Sequence, residues 1–322
     1  MPRLPSSHGS TPPPGQGSGS RHDQGFALVI VISAIGLLAL AAAGFAQVTR
    51  SQVRAAASAV GSSTAQALAD SGVELAVLEL VLARQDPAYQ RRFAVSEQPY
   101  VCDAGDGRRL AVSITDEAGK VDLNAAGNRL LQALLAGVGA PASEALADAI
   151  IDFRDDDSIK RPQGAERDDY RAAGRPGPKN APFSVVEEIE QVLGIDSALA
   201  ARLRPHVTVY SAQPGIDTAS ASRQLIAILA HGLNNDSGPT EPASGGSDDR
   251  GVTTPLPFAG AQGRRFFAVH AEAFALSSAF VREAIVELGQ NRARPFTFLR
   301  WYRGALKHGE AALQANGIDS CP

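Results

Sequence analysis

The chain lacks the short motifs that mark common catalytic sites. It has no P-loop, no dinucleotide glycine fingerprint, no nucleophile elbow and no HExxH zinc pair. Phosphate-cradling, nicotinamide-binding, serine-hydrolase and zincin chemistry therefore have no foothold in the sequence. Methionine is confined to one residue, aromatic residues make up only 6% of the chain, and its formal charge of −4 carries no basic excess to draw a polyanion. The six histidines, His8, His22, His206, His231, His270 and His308, are scattered along the chain, which reads as surface and packing positions rather than ligands. Carboxylate pairs between Asp152 and Asp169 have acid/base capacity, but nothing in the sequence marks a pocket beside them.

What is present is one long apolar run, Phe26 to Ala46, without a charged residue and preceded by Gly25. A hydrocarbon core takes roughly 20 apolar residues at about 1.5 Å each, so the run is long enough to span a bilayer and too long for an ordinary secretory h-region. Met1 to Gly25 is rich in Pro, Gly and Ser and has too little apolar material to pack, so it reads as disordered or removed. Arg3 and Arg21 on one flank are matched by Arg50 and Arg54 on the other, which leaves charge alone unable to orient the span.

After the run, Gln47 to Arg84 is alanine-rich and free of proline, which favours one uninterrupted helix ending at Asp86-Pro87. Val73, Val77, Leu78 and Val81 recur at helical steps and predict a stripe that packs on a folded domain. Leu110 to Thr115 (LAVSIT) alternates as a strand. Helical segments follow at Asn128–Ala136, Ser143–Phe153, Val185–Leu193, Ala198–Leu203 and Ser220–Leu229, with a capping-box spacing at Ser184 to Glu187. Gly174 to Pro178 supplies turns between these helices. A Gly- and Ser-rich loop at Asn234 to Gly251 precedes strand-like runs at Phe266–Phe274, Phe280–Leu288 and Phe296–Tyr302. Phe266, Phe267, Phe274, Phe280, Phe296, Phe298, Trp301 and Tyr302 gather there, reading as sheet core first and partner contact second. The first strand needs partners that occur only after the helical block, so that block is an insertion into an α+β domain.

A charge-free helix that begins after a glycine and continues out of the membrane onto a C-terminal domain resembles the class III signal of type IV pilins and pseudopilins. The peptidase site falls at Gly25-Phe26. The fifth mature residue, usually Glu in that family, is Ile30 here, and this narrows the resemblance to the minor pseudopilin K of type II secretion. Asp116–Asn124 (DEAGKVDLN), Ala147–Asp157 (ADAIIDFRDDD), Gly164–Tyr170 (GAERDDY), Asn180–Glu188 (NAPFSVVEE) and Val207–Ser211 (VTVYS) are similar to that family as well. The long leader, Asp23-Gln24 ahead of the glycine, and the loop at Asn234 to Gly251 depart from it. The resemblance implies a pilin-like long N-terminal helix packed on an antiparallel sheet, with a large all-helical domain inserted in the sheet. The corresponding boundaries are a leader at 1–25, a helix at 26–92 with its membrane part at 26–46, sheet at 93–116, insertion at 117–232, a flexible loop at 233–261 and remaining strands at 262–322.

It further implies a structural protein of the pseudopilus tip, cleaved by prepilin peptidase and methylated. It would be held by one pass in the inner membrane with its C-terminal domain in the periplasm. Its partners would be the minor pseudopilins I and J, the major pseudopilin and the inner-membrane assembly platform. The alternative for the N-terminal segment is an uncleaved signal anchor.

Asp152, Asp155, Asp156, Asp157, Glu166, Asp168 and Asp169 alternate with Arg154, Lys160, Arg161 and Arg167. So many hard oxygens suit Ca²⁺, which takes six to eight of them, although no EF-hand spacing is present. Members of the family look like calcium binders in this domain, without indicating which residues ligate. The alternative is a solvated loop of surface ion pairs. Cys102 and Cys321, the only cysteines, read in an exported domain as a disulfide tying the C-terminus to an early strand, or else as two free thiols. One competing function remains: Leu135-Ala136-Gly137-Val138-Gly139 before Ala145–Ile151 resembles a helix-hairpin-helix turn, and would make the chain a membrane-anchored nucleic-acid-binding protein. The following helix offers Glu144 and Asp148 and no cation before Arg154, so no nucleic acid is expected.

Overall fold

The computed structural model describes residues 21–86, 88–236, 258, 265–276, 278–291, 293–309 and 319–321. Residues 1–20 of the expected leader, and nearly all of the loops expected at 234–251 and 233–261, lie outside the described residues. Two units are distinguished, Met1–Ala59 and Val60–Pro322.

Helix α1 runs Arg21–Gln85 and contains the whole apolar run. From Phe26 to Ala59 every residue is exposed, as suits a segment whose surroundings are lipid or other helices. In the second unit the same helix buries Ala65, Ala69, Val73, Ala76, Val77, Leu80 and Val81. Leu78, expected on this stripe, is instead 52% exposed; the buried face continues through small residues, not through it. Smallness is a steric requirement there. A Cβ on Gly72 would come within 2.9 Å of Leu110 Cδ1, and one on Gly61 within 2.9 Å of Ser278 Oγ. The helix stops at the predicted Asp86, and buried Glu79 receives the chain beyond, accepting from the backbone N–H groups of Arg92 at 2.8 Å and Phe93 at 3.0 Å.

This face packs on a five-stranded antiparallel sheet. Its strands are β1 (Ser96–Asp103), β2 (Arg109–Asp116), β5 (Phe266–Ala275), β6 (Ser278–Asn291) and β7 (Arg294–Arg303), in the spatial order β1-β2-β5-β6-β7. Leu110, Val112 and Ile114 of β2 and Phe267, Val269, Ala271 and Ala273 of β5 alternate toward the helix and form one core with it. Arg282 on β6 crosses to Asp70 of α1 at 2.5 Å and lies over the rings of Phe280 and Trp301. Of the clustered aromatics, Phe267 and Phe280 are core, whereas Phe296 and Trp301 on edge strand β7 are each 37% exposed.

Between β2 and β5 the chain departs into a second core built from α2 (Asn128–Gly137), α3 (Ser143–Arg154), α4 (Arg167–Ala172), α5 (Ser197–Leu203) and α6 (Arg223–Asp236). Strands β3 (Val121–Asp122) and β4 (Val207–Thr208) pair in parallel where this block begins and nears its end. Asp122, fully buried, fastens them by accepting from Asn124 N at 2.7 Å, Ser211 Oγ at 3.0 Å and Ala212 N at 2.8 Å.

Three local expectations are corrected. Val185–Leu193 is a 3₁₀ turn over Val186–Gln191, not an α-helix. The expected capping box at Ser184 and Glu187 does not form, because Ser184 N donates to Glu188 at 2.7 Å and Lys179 holds that carboxylate at 2.8 Å. Helix α6 starts at Arg223, since Asp217 ties up Ser220 at 2.9 Å and Ser222 Oγ accepts from Leu225 N at 3.1 Å. Helix α4, six residues of mostly charged sequence, is too short to show a period.

Cys102 and Cys321 are disulfide-bonded across a sequence separation of 219 residues, which holds the C-terminal segment on β1. So long a loop restricts the unfolded chain strongly, and replacing both cysteines with alanine should cost about 2–5 kcal/mol. Denaturant unfolding of the full chain, followed by Trp301 fluorescence, measures this as a lower midpoint.

Candidate functional site

The acidic residues read from the sequence separate into two groups once folded. Asp152 sits in the last turns of α3 and is completely buried. It accepts from Arg161 N at 3.2 Å, and a Cβ on Gly164 would lie 1.9 Å from its Oδ2, so only glycine lets the returning loop close over the carboxylate. Burial pushes its pKa from 3.8 to about 6, and the Asp155 and Glu166 charges add to the rise. Asp155, just past α3, and Glu166, just before α4, are raised in the same direction, again by burial first and neighbouring carboxylates next. Oδ1 of Asp155, both oxygens of Glu166 and Oδ1 of Asn180 are buried without a hydrogen-bond partner. Asn180 reaches the same loop by donating to the Asp157 carbonyl.

The other candidates are otherwise engaged. Asp169 is held by Lys160 Nζ at 2.7 Å and by Glu166 N at 2.9 Å, which lowers its pKa. Asp168 is exposed and pairs with Arg171 at 2.8 Å, and Asp156 is exposed. Asp157 is exposed too, its Oδ1 accepting from Ile159 N at 2.7 Å. Asp148, read in the sequence only as an acidic residue opposing phosphate, is a structural clamp, taking Asn128 Nδ2 at 2.7 Å and Arg161 Nε at 2.8 Å. The loop is therefore more than a set of surface ion pairs. Buried Asp152 and Glu166 and part-buried Asp155 form a mutually repelling and incompletely satisfied nucleus of oxygens suited to a hard cation.

In the hairpin α2–α3, read as a possible phosphate-binding turn, Gly139, Pro141 and Ala142 are exposed while the helix before them packs closely on α6. A Cβ on Gly137 would meet the Ile228 carbonyl oxygen of α6 at 2.1 Å, and one on Gly232 that of Ala133 at 1.8 Å. Arg154, the first cation after the turn, donates to the Leu123 and Ala126 carbonyls rather than facing solvent. Gly25, Phe26 and Ile30 lie in succession along α1, with Phe26 71% and Ile30 53% exposed. A cavity of about 190 Å³ opens on the sheet face opposite α1, lined in part by His270, Glu283, Arg300 and Tyr302 from the sheet and Glu117, Arg204 and Tyr210 from the inserted block. The scatter of histidines along the sequence gave no signal for this; His270 and His308 stand edge to face, 6.0 Å between ring centres.

The family described as type II secretion system (T2SS), protein K, first domain, matches residues 110–212. That stretch begins in β2 and ends just after β4, so it takes in the acidic loop and the closure of the insertion. A search of curated proteins returns no match. Among solved structures, the crystal structure of the GspK–GspI–GspJ complex from the enterotoxigenic Escherichia coli type 2 secretion system contains a chain of similar fold. The TM-score is 0.54 at 18% identity, with 80% of this chain and 99% of that one covered.

Asp152 has a pH signature of its own. Its folded pKa near 6 exceeds its ordinary 3.8, so between those values the folded protein holds more protons than the unfolded one. In chelator, its contribution to stability should rise as pH falls from about 6 to about 4. The difference in melting temperature between wild type and Asp152→Asn, followed across that window, isolates this group from the others.

Proposed function

We propose that this chain is a minor pseudopilin K of type II secretion, which takes part in assembling the pseudopilus and works at its tip. The observation that carries the reading is the insertion. A helical domain with the protein K signature interrupts, between β2 and β5, a sheet packed on the continuation of a membrane-length helix. The role is structural, not catalytic.

The mechanism follows from the helix. Phe26 to Ala46 holds the subunit in the inner membrane after prepilin peptidase cuts at Gly25-Phe26, with the C-terminal domain in the periplasm. At about 1.5 Å per residue these 21 residues match a hydrocarbon core of about 30 Å. Assembly exchanges lipid for neighbouring pseudopilin helices around the same exposed side chains. In related filaments a glutamate at the fifth mature position meets the N-terminal amine of an adjacent subunit. Ile30 has no charge to offer, and a large inserted domain obstructs a subunit above it. Both features support a place at the tip. There the partners would be the minor pseudopilins I and J, as the E. coli complex suggests, with the major pseudopilin and assembly platform below.

Within the inserted domain, Ca²⁺ fits the acidic loop. Asp152, Asp155 and Glu166 would hold it, with Asp157 and Asn180 beside them, supported by the unpartnered buried oxygens on Asp155, Glu166 and Asn180. A bound dication would supply the positive charge that these carboxylates lack. The chain's own residues then brace the end of α3 against the start of α4, and Gly164 keeps Asp152 in place.

Two experiments test these statements. Coexpression with a prepilin peptidase should leave Phe26 as the first residue, and an unchanged N-terminus would overturn the pseudopilin reading. Ca²⁺ at a hundred times its dissociation constant should add about 2.7 kcal/mol of stability to the wild-type chain. Glu166→Gln should lose most of that increment, and equal melting of wild type in Ca²⁺ and in chelator would exclude a stabilising site.

A further inference from the structure

A second cluster of ligand-type side chains lies on the pilin-like sheet, away from the acidic loop. His270 and Glu272 are two residues apart on β5 and so share one face, the face turned away from α1. His308 arrives from the chain segment after β7, and one ligand atom from each of the three side chains lies within 4.8 Å of the others.

The details of the cluster leave two atoms without a role. Glu272 is completely buried. Its Oε1 lies 2.8 Å from His270 Nε2 and accepts from the backbone N–H groups of Lys307 at 2.5 Å and His308 at 3.1 Å. Its Oε2 is buried with no hydrogen-bond partner, and so is His308 Nε2. An acceptor-only carboxylate oxygen is an electron-pair donor, as is the imidazole nitrogen in the tautomer with its proton on Nδ1, and a cation between them satisfies both. The other side of His270 is already fixed: Nδ1 lies 2.8 Å from Glu283 Oε1, itself paired with Lys307 Nζ at 3.0 Å. A carboxylate on the far ring nitrogen is the arrangement that orients a metal-bound histidine, and a metal would take Nε2 in exchange for its contact with Glu272 Oε1.

We propose that His270, Glu272 and His308 form a binding site for a divalent late transition metal, Zn²⁺ in the first instance, with Glu283 as the positioning residue for His270. Two imidazoles and one carboxylate suit Zn²⁺ and fit Ca²⁺ poorly, because Ca²⁺ takes oxygen ligands in larger number. Three protein ligands leave a fourth position for water or for a side chain of a partner. The metal would clip the segment after β7 onto β5, as the disulfide fastens the C-terminus to β1. The proposal is independent of the pseudopilin role and of calcium in the acidic loop.

The full chain in detergent, stripped with chelator, provides the test. Titration with Zn²⁺, and with Co²⁺ followed by its visible absorption, should show one equivalent bound with histidine-nitrogen ligation. His308→Ala, on the segment after β7, should weaken Zn²⁺ binding by more than about tenfold, and Glu283→Gln by about tenfold. Glu166→Gln should leave Zn²⁺ binding unaltered, which separates this site from the acidic loop. No uptake at micromolar Zn²⁺, or uptake equally strong in His308→Ala and in His270→Gln, would overturn the proposal.

Discussion

The pairing of β2 with β5 is the constraint on which the rest of the second unit depends. Arg109 to Asp116 must find Phe274 to Phe267 across a gap of some 150 residues, and everything between them has to begin and end near one place. Closing so long a loop is entropically costly, but the cost grows only slowly with length, so a whole domain can occupy the gap once its ends are brought together. The β3–β4 ladder and the Asp122 carboxylate do this. They join the start of the block to the strand near its end, and the insertion then folds around a core of its own. The two faces of the sheet are settled by the same pairing. One set of alternating residues meets α1, and the other carries His270, Glu272 and Glu283 toward the segment after β7.

Charge is distributed between the two cores in contrasting ways. In the sheet domain, the carboxylates of buried Glu79 and part-buried Asp70 are answered by backbone N–H groups or by arginine. Glu283 is held well below the usual carboxylate range, the hydrogen bonds from His270 and Tyr302 and the nearby Lys307 outweighing its burial. In the acidic loop, burial and like charges push Asp152, Asp155 and Glu166 upward and outweigh the nearby Arg154 and Arg161, whose guanidinium groups are hydrogen-bonded to carbonyls and to Asp148. Cores rarely keep unanswered carboxylates, so this departure is where a bound cation has a physical purpose.

Much of this was legible in the chain. The apolar run, its continuation as helix, the stop at Asp86 and the three strands after residue 265 follow from hydropathy, period and proline placement. The insertion follows from the strands it separates. Less was visible where meaning depends on contact. Leu78 satisfies a helical period yet faces away, because the sheet approaches along the glycine and alanine side of α1. Of the seven acidic candidates only Asp152, Asp155 and Glu166 are drawn inward, and sequence spacing carries no signal for which would be. The stretches at 116–124 and 207–211 gave separate points of resemblance, and the fold brings them into one ladder.

The sequence by itself determined the apolar anchor, its helical continuation, the longer helices of the insertion and the strands around it, because apolar period and backbone propensity are local properties read over a few residues; β1, the β3–β4 ladder and α4 are too short or too polar to carry that signal. Tertiary structure alone decided which carboxylates are stranded, which glycines are obligatory and that His270 meets His308. Those outcomes turn on the approach of segments from about a dozen to some two hundred residues apart. No local pattern records which two surfaces will exclude water from the same atom.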